Sequence, residues 1–465
     1  MPRRREPEQH RPSPWQGRAT VGAGLAILAI AACTTVDGGG EGGDAGGTSG
    51  AAGSAQGGAQ PGGGNGGLAG TTAGTTSGGT SSGAGGSGMS GGGGSGAEPT
   101  GGTTTGGSAG VGGMGGAAGT DAGAGGAGAV GGGGAGGAPG GAGPGGTGSG
   151  GMTGDRCDVA VYNAADPPAI VAVSNPPSTH DPVVMEAAGR LYMFHTGNNV
   201  GAKTSTDLLS WANAPAALSP SPTWTNDYTA RDGDLWAPDI SYFGGQYHLY
   251  YSASSFGENR SCIGHATRAA LDSGSWTDHQ EVICSNVGTN DNWNAIDPNV
   301  IVDQSGAPYL AFGSFWSGIK MIPLDMTGAR MGTAAPLAIA NRPNNGGALE
   351  APFIVNRCGY YYLFVSFDRC CQGVDSTYNI RVGRSTSVTG PYADKAGTAM
   401  AQGGGTLLVQ GDARWKGPGH NAILFRGNSA YNVYHSYDAN QNGRITLRIS
   451  EIAWDTDGWP ISAGP

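Results

Sequence analysis

The sequence predicts an all-β domain folded as a five-bladed β-propeller, and three observations carry that prediction. A short pattern recurs five times, its copies are about 60 residues apart, and helical periodicity is almost absent. Each copy is an acid-or-His/Pro tag leading into a short apolar strand, then a Gly-bearing turn, then a Tyr-rich strand. The first is His180-Asp181-Pro182-Val183, with Gly189 and Leu191-Tyr192-Met193-Phe194. The second is Trp236-Ala237-Pro238-Asp239-Ile240, with Gly244-Gly245 and Tyr247-His248-Leu249-Tyr250-Tyr251. The third is Ile296-Asp297-Pro298-Asn299-Val300, with Gly306 and Tyr309-Leu310-Ala311-Phe312. The fourth is Leu349-Glu350-Ala351-Pro352-Phe353-Ile354, with Gly359 and Tyr360-Tyr361-Tyr362-Leu363-Phe364. The fifth, weaker copy is Gly417-Pro418-Gly419-His420-Asn421, with Gly427 and Tyr431-Asn432-Val433-Tyr434. Strand, turn and aromatic strand make a hairpin, and radial repetition of such units is the signature of a propeller. The tags fall at 181, 239, 297, 350 and 420, one per blade.

The repeats occupy only part of the 465 residues. Most of the 93 glycines lie before residue 155, in a tract of Gly, Ala, Ser and Thr with no Lys or Arg from Thr34 to Asp155. Such a segment has too little apolar surface to offset the entropy of ordering it and is expected to be disordered. Ahead of it, Arg3, Arg4 and Arg5 and the apolar run Ala23 to Ala32 read as a signal peptide, too short to span a bilayer. The run ends in Leu28-Ala29-Ile30-Ala31-Ala32-Cys33, which resembles a bacterial lipobox with Cys33 as the lipidated residue. Thr34 rather than Asp follows, which points to the outer membrane or cell surface, with secretion as the alternative. The expected organisation is a signal peptide at 1–32, a tether at 33–154 and the propeller at 155–465. A tether of that length reaches on the order of 60 Å.

The net charge of −10, with no basic run beyond the first residues, argues against nucleic acid and favours a neutral ligand. Six cysteines remain after Cys33: Cys157, Cys262, Cys284, Cys358, Cys370 and Cys371. An even number in an exported domain suggests disulfides. Cys262 and Cys284 lie in neighbouring predicted strands and are the best pair. The adjacent Cys370 and Cys371 either bridge each other or take separate partners.

In a propeller the first strand of each blade lines the axis, so tags from different blades converge there. Asp181, Asp297 and Glu350 would then meet, and such crowding raises some carboxyl pKa values while leaving others low. Glycoside hydrolysis asks for that split, a protonated acid for the leaving oxygen and an ionised base for water. Glu350, with the longer side chain, is the expected acid. The base is Asp181 or Asp297, which the residues alone do not separate. Trp236, Phe256, Trp293, Phe315 and Trp316 supply ring faces for a sugar cleft. His420 stands in the fifth tag, where it could hold a cation or ordered water.

Six motifs in order resemble glycoside hydrolase family 43, most closely its endo-α-1,5-L-arabinanases. They are His180-Asp181-Pro182, Trp236-Ala237-Pro238-Asp239, Asn294-Ala295-Ile296-Asp297-Pro298, Ser314-Phe315-Trp316-Ser317-Gly318-Ile319, Leu349-Glu350-Ala351-Pro352-Phe353 and Gly417-Pro418-Gly419-His420-Asn421. The stretch from Asp368 to Gly373 also looks arabinanase-like. The resemblance implies an inverting mechanism on arabinan, with Asp181 as base, Glu350 as acid and Asp297 raising the pKa of the acid and orienting it. It implies that His420 coordinates a largely hydrated calcium ion. Trp236, Phe256, Asn294, Ser314 and Trp316 match subsite positions, and His180 and Phe315 join them as expected substrate contacts. The expected assembly is a monomer, held to the membrane through Cys33. An exo-acting arabinofuranosidase or β-xylosidase on the same fold, and a non-catalytic glycan-binding propeller, are the alternatives.

Overall fold

Tyrosine, valine, isoleucine and phenylalanine suit a pleated, buried surface, and they fill the first two strands of each repeat. In the computed structural model, which describes residues 156–465, those segments are strands. The signal peptide read at 1–32, Cys33 and the tether to 154 lie outside the described residues. The chain runs through β1 (Val183–Ala187), β2 (Arg190–His195), the two-residue β3 (Gly197–Asn198), β4 (Gly201–Ser205) and β5 (Ala212–Ala214). Blade one is the antiparallel sheet β1-β2-β4-β5, and β3 joins the edge of blade two. Blade two adds β6 (Asp234–Phe243), β7 (Gln246–Ala253), β8 (Ser261–Arg268) and β9 (Thr277–Ser285). Blade three is β10 (Asn299–Val302), β11 (Pro308–Phe312), β12 (Ile319–Pro323) and β13 (Leu337–Ala340). Blade four is β14 (Leu349–Arg357), β15 (Tyr360–Phe367), β16 (Asn379–Ser385) and β17 (Thr406–Gln410). Blade five is β18 (Trp415–Arg426), β19 (Ser429–Asp438), β20 (Arg444–Trp454) and β21 (Pro460–Ser462).

The inner strands touch in the cyclic order β1, β6, β10, β14, β18 and back to β1, so the ring is closed. One backbone feature repeats in every blade. Asp181, Ala237, Asp297, Ala351 and His420 all have left-handed backbones, with φ of 52°, 45°, 57°, 56° and 49°. Four of them precede a proline, where backbone freedom is narrower still. Each is held by a side chain from the preceding blade that accepts its N–H. His435 Nδ1 takes the N–H of Asp181 at 3.2 Å and Thr196 Oγ1 that of Ala237 at 2.7 Å. Ser252 Oγ takes that of Asp297 at 3.0 Å, Asp297 Oδ2 that of Ala351 at 3.1 Å, and Ser366 Oγ that of His420 at 2.8 Å.

This ring corrects the phase of the repeat. The tags read at 239 and 350 are not equivalent to those at 181 and 297. Ala237 and Ala351 occupy the corresponding places, with Asp239 two residues downstream and Glu350 one residue upstream. Asp239 is instead a buried stitch between blades. It accepts from Asn299 Nδ2 at 3.0 Å and Val300 N–H at 2.9 Å, while Asn299 Oδ1 accepts from Ile354 N–H of blade four at 2.8 Å. Burial pushes its carboxyl up to about 7 against the pull of those bonds.

The segment before β1 pins blade five to blade four. Val161 and Ile170 bridge to Trp454 and Ser450, and the Cys157–Cys358 disulfide ties the segment to the turn between β14 and β15. The expected Cys262–Cys284 pair joins β8 to β9, and Cys370 bridges Cys371.

Blade two buries a pair of histidines. His248 Nε2 donates to Phe243 O at 3.1 Å, so its Nδ1 accepts from His265 Nε2 at 2.9 Å. The loop carrying Gly328 covers the pair. A Cβ at Gly328, whose φ is +88°, would lie 2.6 Å from the His265 ring. Burial pushes His248 down to about 4 and His265 to about 3, from an ordinary 6.5. Below pH 6.5 the unfolded chain therefore binds protons that the folded one refuses. The stability these neutral rings contribute is complete above that pH and is lost as pH falls toward 4, by up to about 1.4 kcal/mol per unit for each ring. Thermal unfolding of the wild type should weaken more steeply between pH 7 and pH 5 than that of His265→Gln. Parallel pH profiles for the two proteins would contradict this.

Candidate active site

One end of the axis opens into a cleft of about 580 Å³, and Asp181, Asp297, Glu350 and His420 all line it. All three carboxylates are buried. Asp181 and Asp297 reach the cleft as left-handed residues just ahead of β1 and β10, and Glu350 from the start of β14.

Asp181 is surrounded by donors. His180 Nδ1 lies 2.9 Å from its Oδ2, Thr196 Oγ1 donates to the same oxygen at 2.5 Å, and His420 Nδ1 lies 3.1 Å from Oδ1. Burial alone would raise this carboxyl. The charge and hydrogen bonds of His180 and His420 carry it well below the usual range instead. His435 Nδ1 also approaches Oδ1, at 3.4 Å, but that nitrogen accepts the Asp181 N–H and burial holds the ring neutral, so no ion pair forms there.

Glu350 has the opposite environment. Burial, followed by the charge of Asp297, pushes it up to about 8, although Ser314 Oγ donates to its Oε2 at 2.5 Å. Tyr378 Oη donates to the other oxygen, Oε1. Asp297 rises to about 6, chiefly through burial, and its Oδ2 holds the backbone of Ala351 beside Glu350. Asp297 takes that bond because Gly313 stands where the other blades carry Thr196, Ser252, Ser366 or His435. A Cβ at Gly313 would lie 2.7 Å from Gly318 O. At neutral pH the cleft thus presents an ionised carboxylate from blade one and a protonated carboxyl from blade four, able to accept and to donate a proton.

His420 rises to about 9: burial would lower it, but Asp181, Asp297 and Glu350 outweigh burial. Three acids around one imidazole suit a cation electrostatically, and His420 would ligate it through Nε2 in place of that nitrogen's proton, with Nδ1 still beside Asp181. A single nitrogen cannot complete a calcium shell of six to eight oxygens, so the donor set fits an ion that keeps most of its water. The clusters of three potential ligands among the described residues, His180 with Cys370 and Cys371 and His180 with Asp181 and His435, do not include His420.

Trp236, Phe256, Asn294, Phe315 and Trp316 also line the cleft. Phe256 and Trp316 are 51% and 40% exposed, high for large apolar rings. Buried Asn294 Oδ1 has no hydrogen-bond partner among the described residues, as suits a group awaiting a sugar hydroxyl. Three expectations shift. Trp293 packs edge-on against Phe312 in the core rather than lining the cleft. Ser314 lines it with its hydroxyl committed to Glu350. His180 has both ring nitrogens engaged, the second with Tyr437 Oη at 3.0 Å, so it serves Asp181 rather than offering a nitrogen to substrate. Thr196, Tyr378 and Tyr437 carried no sequence signal, since each is a strand-end or loop residue outside the tags.

The sequence profile of glycosyl hydrolases family 43 matches residues 174–460. The chain is 46% identical over 286 residues to the extracellular endo-α-(1→5)-L-arabinanase 1 of Bacillus subtilis, covering 60% of this chain and 86% of that protein. It is 40% identical over 296 residues to the extracellular exo-α-(1→5)-L-arabinofuranosidase ArbA of Cellvibrio japonicus, covering 60% and 85%. The solved endo-arabinanase of Bacillus licheniformis superposes with a TM-score of 0.58 at 49% identity, over 62% of this chain and 99% of that one.

The split between the two carboxyls can be read without substrate. In protein labelled at the glutamate carboxyl carbon, one ¹³C resonance should titrate near pH 8 and be missing in Glu350→Gln. In Asp297→Asn it should titrate at lower pH, because a negative charge that favours the protonated form is gone. An unmoved midpoint would contradict the coupling.

Proposed function

The chain belongs to glycosyl hydrolase family 43, and from that premise we propose that it is an inverting endo-arabinanase, cutting internal α-1,5-linked L-arabinofuranosyl bonds in arabinan, the side chains of pectin. The observation that carries this reading is that Asp181 and Glu350 line one cleft in opposite surroundings: donors around Asp181 favour its ionised form, and burial beside Asp297 favours the protonated form of Glu350. Glu350 gives its proton to the glycosidic oxygen as the bond from that oxygen to the anomeric carbon breaks. Asp181 takes a proton from a water that attacks the same carbon from the opposite face, so the product is the β-anomer. Asp297 works through its charge, which adds to burial in keeping Glu350 protonated, and through its hold on Ala351. His180 and His420 hold Asp181 ionised against its burial, and the Thr196 hydroxyl helps align it.

The exposed faces of Phe256 and Trp316 are suited to stack on arabinofuranosyl rings, and Asn294 Oδ1 to accept from a hydroxyl. His420 would hold a calcium ion that keeps most of its water; when bound, the ion supplies positive charge beside the three carboxylates. The extracellular naming of both relatives supports export. Lipid attachment at Cys33 and action as a monomer complete the reading.

Linear α-1,5-arabinan separates endo from exo action, a distinction the exo-acting Cellvibrio relative makes necessary. Chromatography of the first few per cent of digestion should show a ladder of oligomers. Arabinose or one short oligomer alone would contradict endo action. Glu350→Gln should lower kcat by about 10²–10⁴-fold, and undiminished hydrolysis would remove Glu350 from the acid role.

A further inference from the structure

We propose that the disulfide between the adjacent Cys370 and Cys371 is a positioning element of the active site, and that the enzyme turns over fully only while it is oxidised. The proposal rests on the assignment of Asp181 as base and Glu350 as acid. The two cysteines sit in the connection from β15 to β16, residues 368–378, and both face the cleft. This one connection touches both sides of the reaction. On the base side, Cys371 N–H donates to Tyr437 Oη at 2.9 Å, and the same oxygen lies 3.0 Å from His180 Nε2. His180 Nδ1 then lies 2.9 Å from Asp181 Oδ2, and Cys371 Sγ packs 3.7 Å from His180 Nε2. On the acid side, Tyr378 at the end of the connection donates to Glu350 Oε1.

The connection is anchored at its base. Arg342 pairs with Asp368 at 2.7 Å, Arg369 O accepts from Thr377 N–H and Tyr378 N–H, and Ser376 Oγ accepts from Gln372 N–H at 3.0 Å. At its tip, Cys371 has a φ of 66°, a left-handed backbone that a non-glycine residue seldom keeps without constraint. A bond between neighbouring cysteines closes an eight-membered ring around their shared peptide, so neither side chain can turn alone. The ring thereby fixes the direction of the Cys371 N–H toward Tyr437. The Cys157–Cys358 bridge ties the segment before β1 to the β14–β15 turn, the Cys262–Cys284 bridge joins β8 to β9, and none of these four residues lines the cleft.

Reduction by a dithiol such as dithiothreitol breaks the sulfur–sulfur bond. It delivers two electrons and two protons to form two thiols, while the reagent closes to its own cyclic disulfide. The freed tip can release Tyr437, and with it the alignment of His180 and Asp181. A misplacement of about 1 Å costs on the order of 10²-fold in rate.

The test is steady-state turnover of linear α-1,5-arabinan. Hydrolysis by the untreated enzyme tests the substrate reading, and the ratio of each altered form to it tests the disulfide. In Cys370→Ser/Cys371→Ser, kcat should fall at least tenfold while KM stays within threefold. Cys262→Ser/Cys284→Ser should lose thermal stability and keep its kcat. Tyr437→Phe should reproduce the loss of kcat, and adding it to the serine pair should cost less than a further twofold. A folded serine pair with kcat within twofold of the untreated enzyme overturns the proposal. Should that pair fail to fold, dithiothreitol-treated enzyme replaces it, its thiols mapped by mass spectrometry after quenching. Full activity with Cys370 and Cys371 reduced overturns the proposal equally, whereas loss that reverses on reoxidation supports it.

Discussion

The active site depends on a ring of five inter-blade hydrogen bonds at the mouth of the pore. In each blade one residue turns into the left-handed region, and its N–H is captured by a side chain of the blade before it. A non-glycine residue in that conformation, four times out of five ahead of proline, is costly unless its surroundings hold it. Here the surroundings are the neighbouring blade, so blade closure and active-site geometry are one constraint. Two of the five residues, Asp181 and Asp297, are themselves acids of the cleft, aimed by the strained backbone that locks the ring.

The same ring distributes charge. Burial keeps His435 neutral, so its Nδ1 can accept from the backbone of Asp181, leaving His180 and His420 to stabilise the Asp181 carboxylate. In blade three a close backbone approach forces glycine at position 313, and Asp297 uses one oxygen to complete the ring in place of the missing side chain. That bond holds a negative charge beside Glu350, which reinforces burial in favouring its protonated form. Blades one and four end with opposite protonation because their neighbours differ, although both acids are buried.

The hairpins, the blade number and the acids that converge were legible because strand propensity, turn glycines and a fixed period all repeat. The phase was not. The acids of the tags drew Asp239 and Glu350 into line with Asp181 and Asp297, whereas the shared element is the residue before proline, which is alanine in blades two and four. Aligning the repeats on Pro182, Pro238, Pro298 and Pro352 would have recovered it. Trp293 looked like a sugar platform because an aromatic near a tag reads the same whether it faces core or cleft. Tyr378 and Tyr437 stayed hidden for a different reason: their roles come from contacts between distant segments, 350 with 378 and 180 with 437, which no local pattern records.

Stereochemistry tests the proposed roles most directly: with Asp181 as base to a water there is one displacement and inversion, whereas a carboxylate attacking the sugar itself gives two displacements and retention. Proton NMR of linear α-1,5-arabinan in the first minutes of digestion, before mutarotation, should show the new reducing end as the β-anomer. An α-anomer appearing first would mean retention, and the roles given to Asp181 and Glu350 would be wrong.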